Sequence, residues 1–300
     1  MAQSAASSTV YLNGRFLPLE AAQVPVLDRG FIFGDGVYEL VPVYSRVPFR
    51  LDEHLARLER SLTETRIRNP YRRERWRELV AEIIARQPFD DQAVYFQVTR
   101  GVARRDHAFP AGVEPTVFMM SNPLVTPSPE LVARGADAVS APDWRWLRCD
   151  IKTISLIGNC LLRQLSADVG AVETILFRDG RLTEASASNV FVVRAGTVLC
   201  PPKSTLILPG ITYDVVLELA RSAGLPVEVR EVSEAEVRSA EELWVTSSSK
   251  EVLAIVRLDG RPIGEGRPGP VFRRMYALYQ DFKRDVMRAG RSAAGCAGVA

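Results

Sequence analysis

Arg148-Cys149-Asp150-Ile151-Lys152-Thr153-Ile154 sets one lysine between a Trp/Leu run and an apolar segment, Ile154 to Leu162. Further on, Leu182-Thr183-Glu184-Ala185-Ser186-Ala187-Ser188-Asn189-Val190-Phe191 places a glutamate at the head of a Ser/Asn-rich turn. Leu208-Pro209-Gly210-Ile211-Thr212-Tyr213-Asp214 follows, with Gly-Ile-Thr opening a helix. A lone lysine says little, because most lysines are solvated. A glutamate in a polar turn is, by itself, a capping residue, and Thr212 by itself is an N-cap. The ordered triple carries more: an amine, a carboxylate, and a helix start whose free N–H groups and partial positive charge suit an anion.

The rest of the chain limits the reading. Three hundred residues suit one large domain or two of ordinary size. With 47% hydrophobic and 25% charged residues, the balance is that of a globular protein. A net charge of +2 implies no nucleic-acid or anionic-membrane partner. Cys149, Cys160, Cys200 and Cys296 are scattered without metal-like spacing, which reads as reduced thiols in a cytoplasmic protein. Two histidines, His54 and His107, cannot build a multi-histidine metal site, so no metal is expected. The first nine residues lack the apolar core of a signal peptide. No apolar run approaches the ~20 residues of a membrane helix. Arg291 to Ala300 is Ala/Gly-rich and expected to fray.

Read in order, Val10 to Phe16 is a hairpin turning on Asn13-Gly14. Asp28 to Tyr38 holds Gly30, Gly34 and Gly36; no Lys-Ser/Thr follows, so a tight loop feeding strand Val37–Tyr44 is favoured over a phosphate loop. Leu51, Leu55, Leu58 and Leu62 stripe one helix, with His54 and Arg57 off the stripe and by default solvated. Pro70 begins a second helix through Trp76 and Ile84. Gln92 to Thr99 alternates as a strand and runs into an irregular basic loop, Arg100 to Pro110. Pro115 to Met120 is another strand, and the proline-rich Ser121 to Pro129 is a boundary. Beyond it, Cys160 to Val169 is a helix with Leu161, Leu162 and Leu165 on one side. Short strands follow, turning on Asp179-Gly180 and Ala195-Gly196, then a helix from Thr212 to Ser222. Two strands around a short helix, Ser233 to Ala240, a hairpin at Asp259-Gly260 and a C-terminal helix from Pro270 to Met287 complete an α+β pattern.

The order lysine, glutamate, Gly-Ile-Thr resembles the fold-type IV pyridoxal-phosphate (PLP) enzymes, over most of the chain from Val10 to Asp285. That group holds branched-chain and D-amino acid aminotransferases, R-selective amine transaminases and aminodeoxychorismate lyases. The D-amino acid branch is the most similar, through Asp28-Arg29-Gly30, Phe33-Gly34-Asp35-Gly36-Val37-Tyr38-Glu39, Tyr95 to Gly101 and Trp146 to Lys152. The proline-rich boundary and the element pattern lead to the expectation of two domains, 1–124 and 134–290, joined by a linker at 125–133, with 291–300 as a flexible tail. The resemblance implies that Lys152 holds PLP and moves a proton, while Glu184 pairs with the pyridine nitrogen. Arg57, Ser188, Leu208, Ile211, Thr212, Ser247 and Ser248 would complete a cofactor site between the domains. Arg105 and His107, with Tyr38, resemble the trap for a substrate α-carboxylate. In that family the loop comes from a partner subunit, which implies a homodimer. The implied reaction moves the amino group of a D-amino acid, typically D-alanine, to 2-oxoglutarate or another 2-oxo acid. The alternatives on the same fold are an R-selective amine transaminase and a branched-chain aminotransferase. Ala185 stands where a glycine is usual, Ala187 removes one hydroxyl, and Arg104 beside Arg105 could widen preference toward acidic substrates.

Overall fold

A computed structural model describes residues 8–289. The chain divides into two units. Among the described residues the first takes 8–124, returns for Ile151–Leu156, and takes 285–289; the second holds Val125–Asp150 and Ile157–Arg284. Lys152 therefore belongs to the first unit.

The first unit opens with the expected hairpin, β1 (Thr9–Leu12) and β2 (Arg15–Pro18). Asn13 and Gly14 both carry positive φ, which is why that dipeptide makes the turn. A short helix, α1 (Arg29–Phe33), occupies the glycine-spaced segment before β3 (Gly36–Tyr44) and β4 (Val47–Pro48). The Asp28 side chain caps α1, and Gly34 ends it with φ 66°. Helices α2 (Leu51–Glu64) and α3 (Arg73–Ala85) follow, then β5 (Gln92–Thr99) and β6 (Thr116–Pro123). Helix α3 starts after Pro70 rather than at it. Asn69 Oδ1 accepts from Tyr71 N (3.3 Å) and Trp76 Nε1 (3.0 Å) and so pins the entry in a turn.

These strands form one antiparallel sheet in the order β2-β1-β6-β5-β3-β4. Alternation sends Val37, Val41, Val94, Phe96, Val98 and Met119 to one face. There they bury Leu55, Leu58 and Leu62 of α2 and Trp76, Leu79 and Ile83 of α3. Each such leucine gains roughly 1.5–3 kcal/mol on burial, which fixes the helices to that face. The other face carries Tyr38, Leu40, Tyr95 and Gln97, all half-buried.

The second unit comprises α4 (Pro129–Arg134), β7 (Ala136–Pro142), α5 (Ile157–Ala167), β8 (Glu173–Arg178), β9 (Arg181–Ala185), β10 (Asn189–Arg194) and β11 (Thr197–Cys200). It continues with α6 (Ile211–Ser222), β12 (Val227–Val229), α7 (Glu234–Arg238), β13 (Glu242–Ser247), β14 (Glu251–Leu258), β15 (Arg261–Pro262) and α8 (Pro270–Phe282). The sheet is mixed, in the order β12-β11-β10-β13-β14-β7-β8-β9 with β15 on β14. Strand β7 runs parallel to both neighbours, and β11 runs parallel to β12. The expected α+β character is thus visible in both units.

The stretch expected to be a linker runs into α4, started by Pro129 and capped by Ser128 Oγ on Leu131 N. Two expectations need correction. Helix α5 buries Leu162, but Leu161 and Leu165 are about half exposed, at 53% and 45%. Ile157 joins them one turn earlier, so the apolar row faces away from its own sheet. The last helix ends at Phe282 and continues as a π turn, Lys283–Met287, where Lys283 Nζ meets Glu251 Oε1 at 2.6 Å. The expected frayed tail, Arg291 to Ala300, and Cys296 lie outside the described residues.

Candidate active site

Lys152 is held by its backbone along the edge of β3 that β4 leaves open. Tyr38 N donates to Lys152 O (2.9 Å), Ile154 N donates to Gly36 O (3.0 Å), and Thr153 bridges to Val37. Lys152 N donates to Ser61 Oγ of α2 at 3.2 Å. The side chain is half-buried, with Nζ 4.1 Å from the centroid of the Tyr38 ring. No described carboxylate forms an ion pair with this amine. A half-buried lysine without an acid partner, fixed at its backbone, is an amine kept for other chemistry.

His54 and Arg57 do not form a solvated face; both are buried. The reason is Glu39, which alternation places on the buried side of β3. Arg57 Nε donates to Glu39 Oε1 and Arg57 Nη2 to Glu39 Oε2, each at 2.8 Å. His54 Nδ1 lies 2.8 Å from Glu39 Oε2. Burial would raise the Glu39 carboxyl, but Arg57 and His54 outweigh it and hold Glu39 far below the usual carboxylate range. Burial lowers His54, opposed by Glu39, and His54 Nε2 has no hydrogen-bond partner among the described residues. Arg57 is thus a bound, oriented cation rather than a surface one.

In the second unit Glu184 sits at the end of β9, 5% exposed. Arg145 Nη1 donates to Oε1 at 2.7 Å; Leu208 N (2.9 Å) and Asn189 Nδ2 (3.2 Å) donate to Oε2. Arg145 is oriented in turn by Asp143, through Nε to Oδ1 and Nη2 to Oδ2, both 2.9 Å. Thr183 Oγ1 also donates to Asp143 Oδ2 (2.8 Å). Burial pushes Glu184 up to about 7, against the opposing pull of Arg145 and the Leu208 amide. Any further positive group beside it would favour the anion.

Sequence reasoning missed Arg145, Asp143, Asn189 and Glu39. Glu39 and Asn189 lay inside quoted motifs but had no assigned partner, and Arg145 was one arginine in a Trp-rich run. Spacing along the chain could not link Arg145 to Glu184, which is 39 residues away.

Helix α6 begins at Ile211, with Gly210 as its N-cap and no side chain capping the first amides. Thr212 is thus the second helical residue, not the cap. Gly210 is extended (φ −72°, ψ 138°), and a Cβ there would fall 2.1 Å from Asn189 Oδ1. The amides of Ile211 and Thr212 remain open to an anion. Helix α6 packs against β13, where Thr246 pairs in register with Asn189. Thr246 Oγ1 is buried with no hydrogen-bond partner among the described residues. Ser188 Oγ instead donates to the buried Glu173 (2.8 Å), and Ser247 Oγ accepts from Lys250 N (3.0 Å). Ser248 is half-buried and makes no hydrogen bond with described residues. In the second unit a buried carboxylate that gains from a positive neighbour, uncapped amides and an orphaned hydroxyl suit the pyridine nitrogen and phosphate of PLP, and in the first unit Lys152 offers an amine of the kind its aldehyde needs.

The expected substrate residues sit in the irregular loop after β5. Arg105 and His107 are exposed, and both rest on Phe33: the Arg105 guanidinium is 5.3 Å from its ring centroid and the His107 ring 5.5 Å. Neither has an acidic partner among the described residues. Among the described residues, no hydrogen bond or ring contact joins them to Tyr38, whose ring lies tilted against that of Tyr95, centroids 5.5 Å apart. No described cluster of His, Cys, Asp or Glu could hold a metal ion.

The sequence profile named amino-transferase class IV matches residues 36–258. A protein named D-alanine aminotransferase, from Bacillus licheniformis, is 38% identical over 91% of this chain and 96% of its own length. The branched-chain amino acid aminotransferase of Escherichia coli superimposes with TM-score 0.87 at 23% identity, over 97% of this chain and 98% of that one. The T.th. branched-chain amino acid aminotransferase, solved with pyridoxamine 5'-phosphate, gives TM-score 0.87 at 25% identity over 96% of each chain.

Proposed function

Because the chain belongs to the amino-transferase class IV family, we propose that it transfers the amino group of a D-amino acid, typically D-alanine, to 2-oxoglutarate or another 2-oxo acid. It is a PLP-dependent aminotransferase of fold type IV. Bound PLP supplies the electron sink that stabilises negative charge at the substrate Cα. Lys152, fixed at the β3 edge and lacking an acid partner, takes and returns the Cα proton. Glu184, backed by Arg145, keeps a proton on the pyridine nitrogen. Arg57 and the Ile211 and Thr212 amides bind phosphate, joined by Ser248 and Thr246. Leu208 helps by fixing Glu184, while Ser188 and Ser247 shape the turns around the cofactor.

The observation that carries the D-amino acid reading is the Arg105–His107 pair. An exposed guanidinium and imidazole share one aromatic ring and have no acid of their own, which leaves them to pair with an α-carboxylate beside Tyr38. Within one chain the pair makes no bond to Lys152 or Tyr38, which supports a homodimer in which the loop serves the partner's site. The apolar row Ile157, Leu161 and Leu165, with exposed Trp144, gives such a partner a face to cover. Cys149, Cys160 and Cys200 are unpaired, in keeping with a cytoplasmic location. No helix among the described residues is long and apolar enough to cross a membrane.

The fold's match to branched-chain aminotransferases favours a second reading, on L-leucine, and an R-selective amine transaminase is the other alternative. One panel decides: D-alanine, L-leucine and (R)-1-phenylethylamine as donors, pyruvate and 2-oxoglutarate as acceptors. D-alanine with 2-oxoglutarate should be the best pair. Preference for L-leucine or the amine over D-alanine would overturn the substrate reading and leave the PLP chemistry standing.

A further inference from the structure

We infer that Arg29 is the positioning residue for Arg105 and His107, and so sets the enzyme's affinity for substrate carboxylates. This rests on the reading of that pair as the carboxylate site. Arg29 lies on α1, a helix of five residues, yet is only 3% exposed. A buried arginine needs a use for each face of its guanidinium, and the uses here converge on the loop. Nε donates to Asp35 Oδ2 at 2.7 Å. Nη1 donates to Asp106 O at 2.5 Å, with Ala108 O at the outer limit of 3.5 Å. Asp106 is the residue between Arg105 and His107. The Arg29 guanidinium also lies 4.8 Å from the centroid of Phe33, the ring that carries both of those side chains.

Apart from the contacts of Arg105 and His107 with Phe33, the rest of the loop is tied down near its ends, where Ala103 N also donates to Leu27 O (3.3 Å). Arg29 N donates to Gly101 O (2.9 Å), and Val102 bridges to Asp28. At the far end the Arg100 guanidinium stacks on Phe109, 3.6 Å from its centroid. Arg100 is held by the same Asp35 that holds Arg29, with Nε to Oδ2 at 2.8 Å. Burial would raise Asp35, but its two arginines lower it, so it is an anion that serves both. Ala108 N donates to Asp106 Oδ1 (3.1 Å), a local turn that gives the middle of the loop no anchor to the sheet. Arg29 is therefore the side chain that ties the segment between Arg105 and His107 to the body of the unit. A lysine could neutralise Asp35 but could not reach Asp35 and Asp106 O together while stacking on Phe33.

The test is a double-mutant cycle on the PLP-loaded enzyme with Arg29→Lys, Arg105→Ala and the pair combined; Arg29→Gln runs beside them in case the lysine variant folds poorly. Arg29→Lys should raise KM for D-alanine and for pyruvate together by roughly tenfold, the scale of one charge-assisted hydrogen bond, with kcat near wild type. The half-reaction with (R)-1-phenylethylamine, which has no carboxylate, should change less than about twofold. Trypsin should cut after Arg104 or Arg105 faster in the Arg29 variants. In the Arg105→Ala background, Arg29→Lys should cost D-alanine nothing further, because the residue it positions is gone. If Arg29→Lys costs the same factor in both backgrounds, or the same factor for the amine, Arg29 is a general structural residue and the inference fails. Wild-type KM in both Arg29 variants defeats it as well. If Arg105→Ala alone leaves D-alanine turnover untouched, the carboxylate reading itself falls and takes this inference with it.

Discussion

Arg145→Met isolates what keeps Glu184 charged. Methionine fills much of the same space but removes the donor to Glu184 Oε1 and the fork on Asp143. Two buried carboxylates would then lose a shared cation, and breaking a buried pair costs roughly 3–5 kcal/mol. Protonation relieves part of that cost. Burial already raises Glu184 to about 7, and Arg145 is the largest influence opposing it, so the variant's carboxyl must titrate higher. A carboxyl raised in the folded state contributes its stability below its ordinary value of 4.5 and loses it as pH rises through the folded value. In wild type the loss falls between 4.5 and about 7 and, at 1.36 kcal/mol per pH unit, amounts to about 3 kcal/mol. In Arg145→Met the loss continues above pH 7. Calorimetry of cofactor-free protein from pH 5 to 9 measures it, with about 2–4 °C of midpoint per kcal/mol in a unit of this size. Wild type should level off above pH 7 while Arg145→Met keeps falling, and adding Glu184→Gln should remove the extra slope. Parallel curves above pH 7, or a slope that survives Glu184→Gln, would refute the coupling.

Three further outcomes are expected. Lys152→Ala should lower transamination by at least about 10²-fold, the scale of lost general-base catalysis, with the unfolding midpoint little changed; its bonds to Ser61 and Tyr38 are backbone bonds that alanine keeps, and near-native turnover would sink the assignment. Arg57→Ala should weaken PLP binding by about ten- to a hundredfold, measured by fluorescence titration. It should also lower the unfolding midpoint, because Glu39 stays buried without its fork; unchanged PLP affinity would leave Arg57 a purely structural partner. Thr246→Val should leave cofactor-free protein as stable or more so, because it removes a buried hydroxyl with no partner. It should nonetheless raise the Kd for PLP several-fold, and an unchanged Kd would exclude that hydroxyl from the phosphate site.

The sequence made some of this legible and hid the rest for physical reasons. Helical period correctly grouped Leu55, Leu58 and Leu62, because residues on one stripe meet one surface. The same period sent His54 and Arg57 to solvent, because it reports which residues share a face and not what faces them. Their partner is one carboxylate on β3, and no local pattern marks a glutamate that will be buried. Leu161 and Leu165 show the converse: the apolar row is real, but it lies on the exposed side of α5. Gly-Ile-Thr did announce a helix start, displaced by one role because Gly210 takes the extended geometry of the cap. The roles proposed for the lysine, the glutamate and the Arg-x-His loop come from family likeness, not from local pattern. The arginines that steady two of them, Arg145 and Arg29, act through contacts that chain spacing does not encode.

The route of the chain through the first unit has a consequence for how it is made. The outer edge of β3 is completed only when residues Lys152 to Ile154 bridge to Gly36 and Val37. A ribosome delivers those residues well after β6, once Val125–Asp150 of the other unit has been synthesised. Until then the growing chain exposes unpaired backbone groups along an apolar strand, a template for aggregation. Closing that edge also spans a long stretch of sequence, which slows folding. A fragment ending at Leu124 should therefore self-associate, whereas one extended through Leu156 seals its own edge. Lys152, the amine proposed for catalysis, belongs to the segment that ends this exposure, so the unit cannot finish its sheet without also setting that lysine in place.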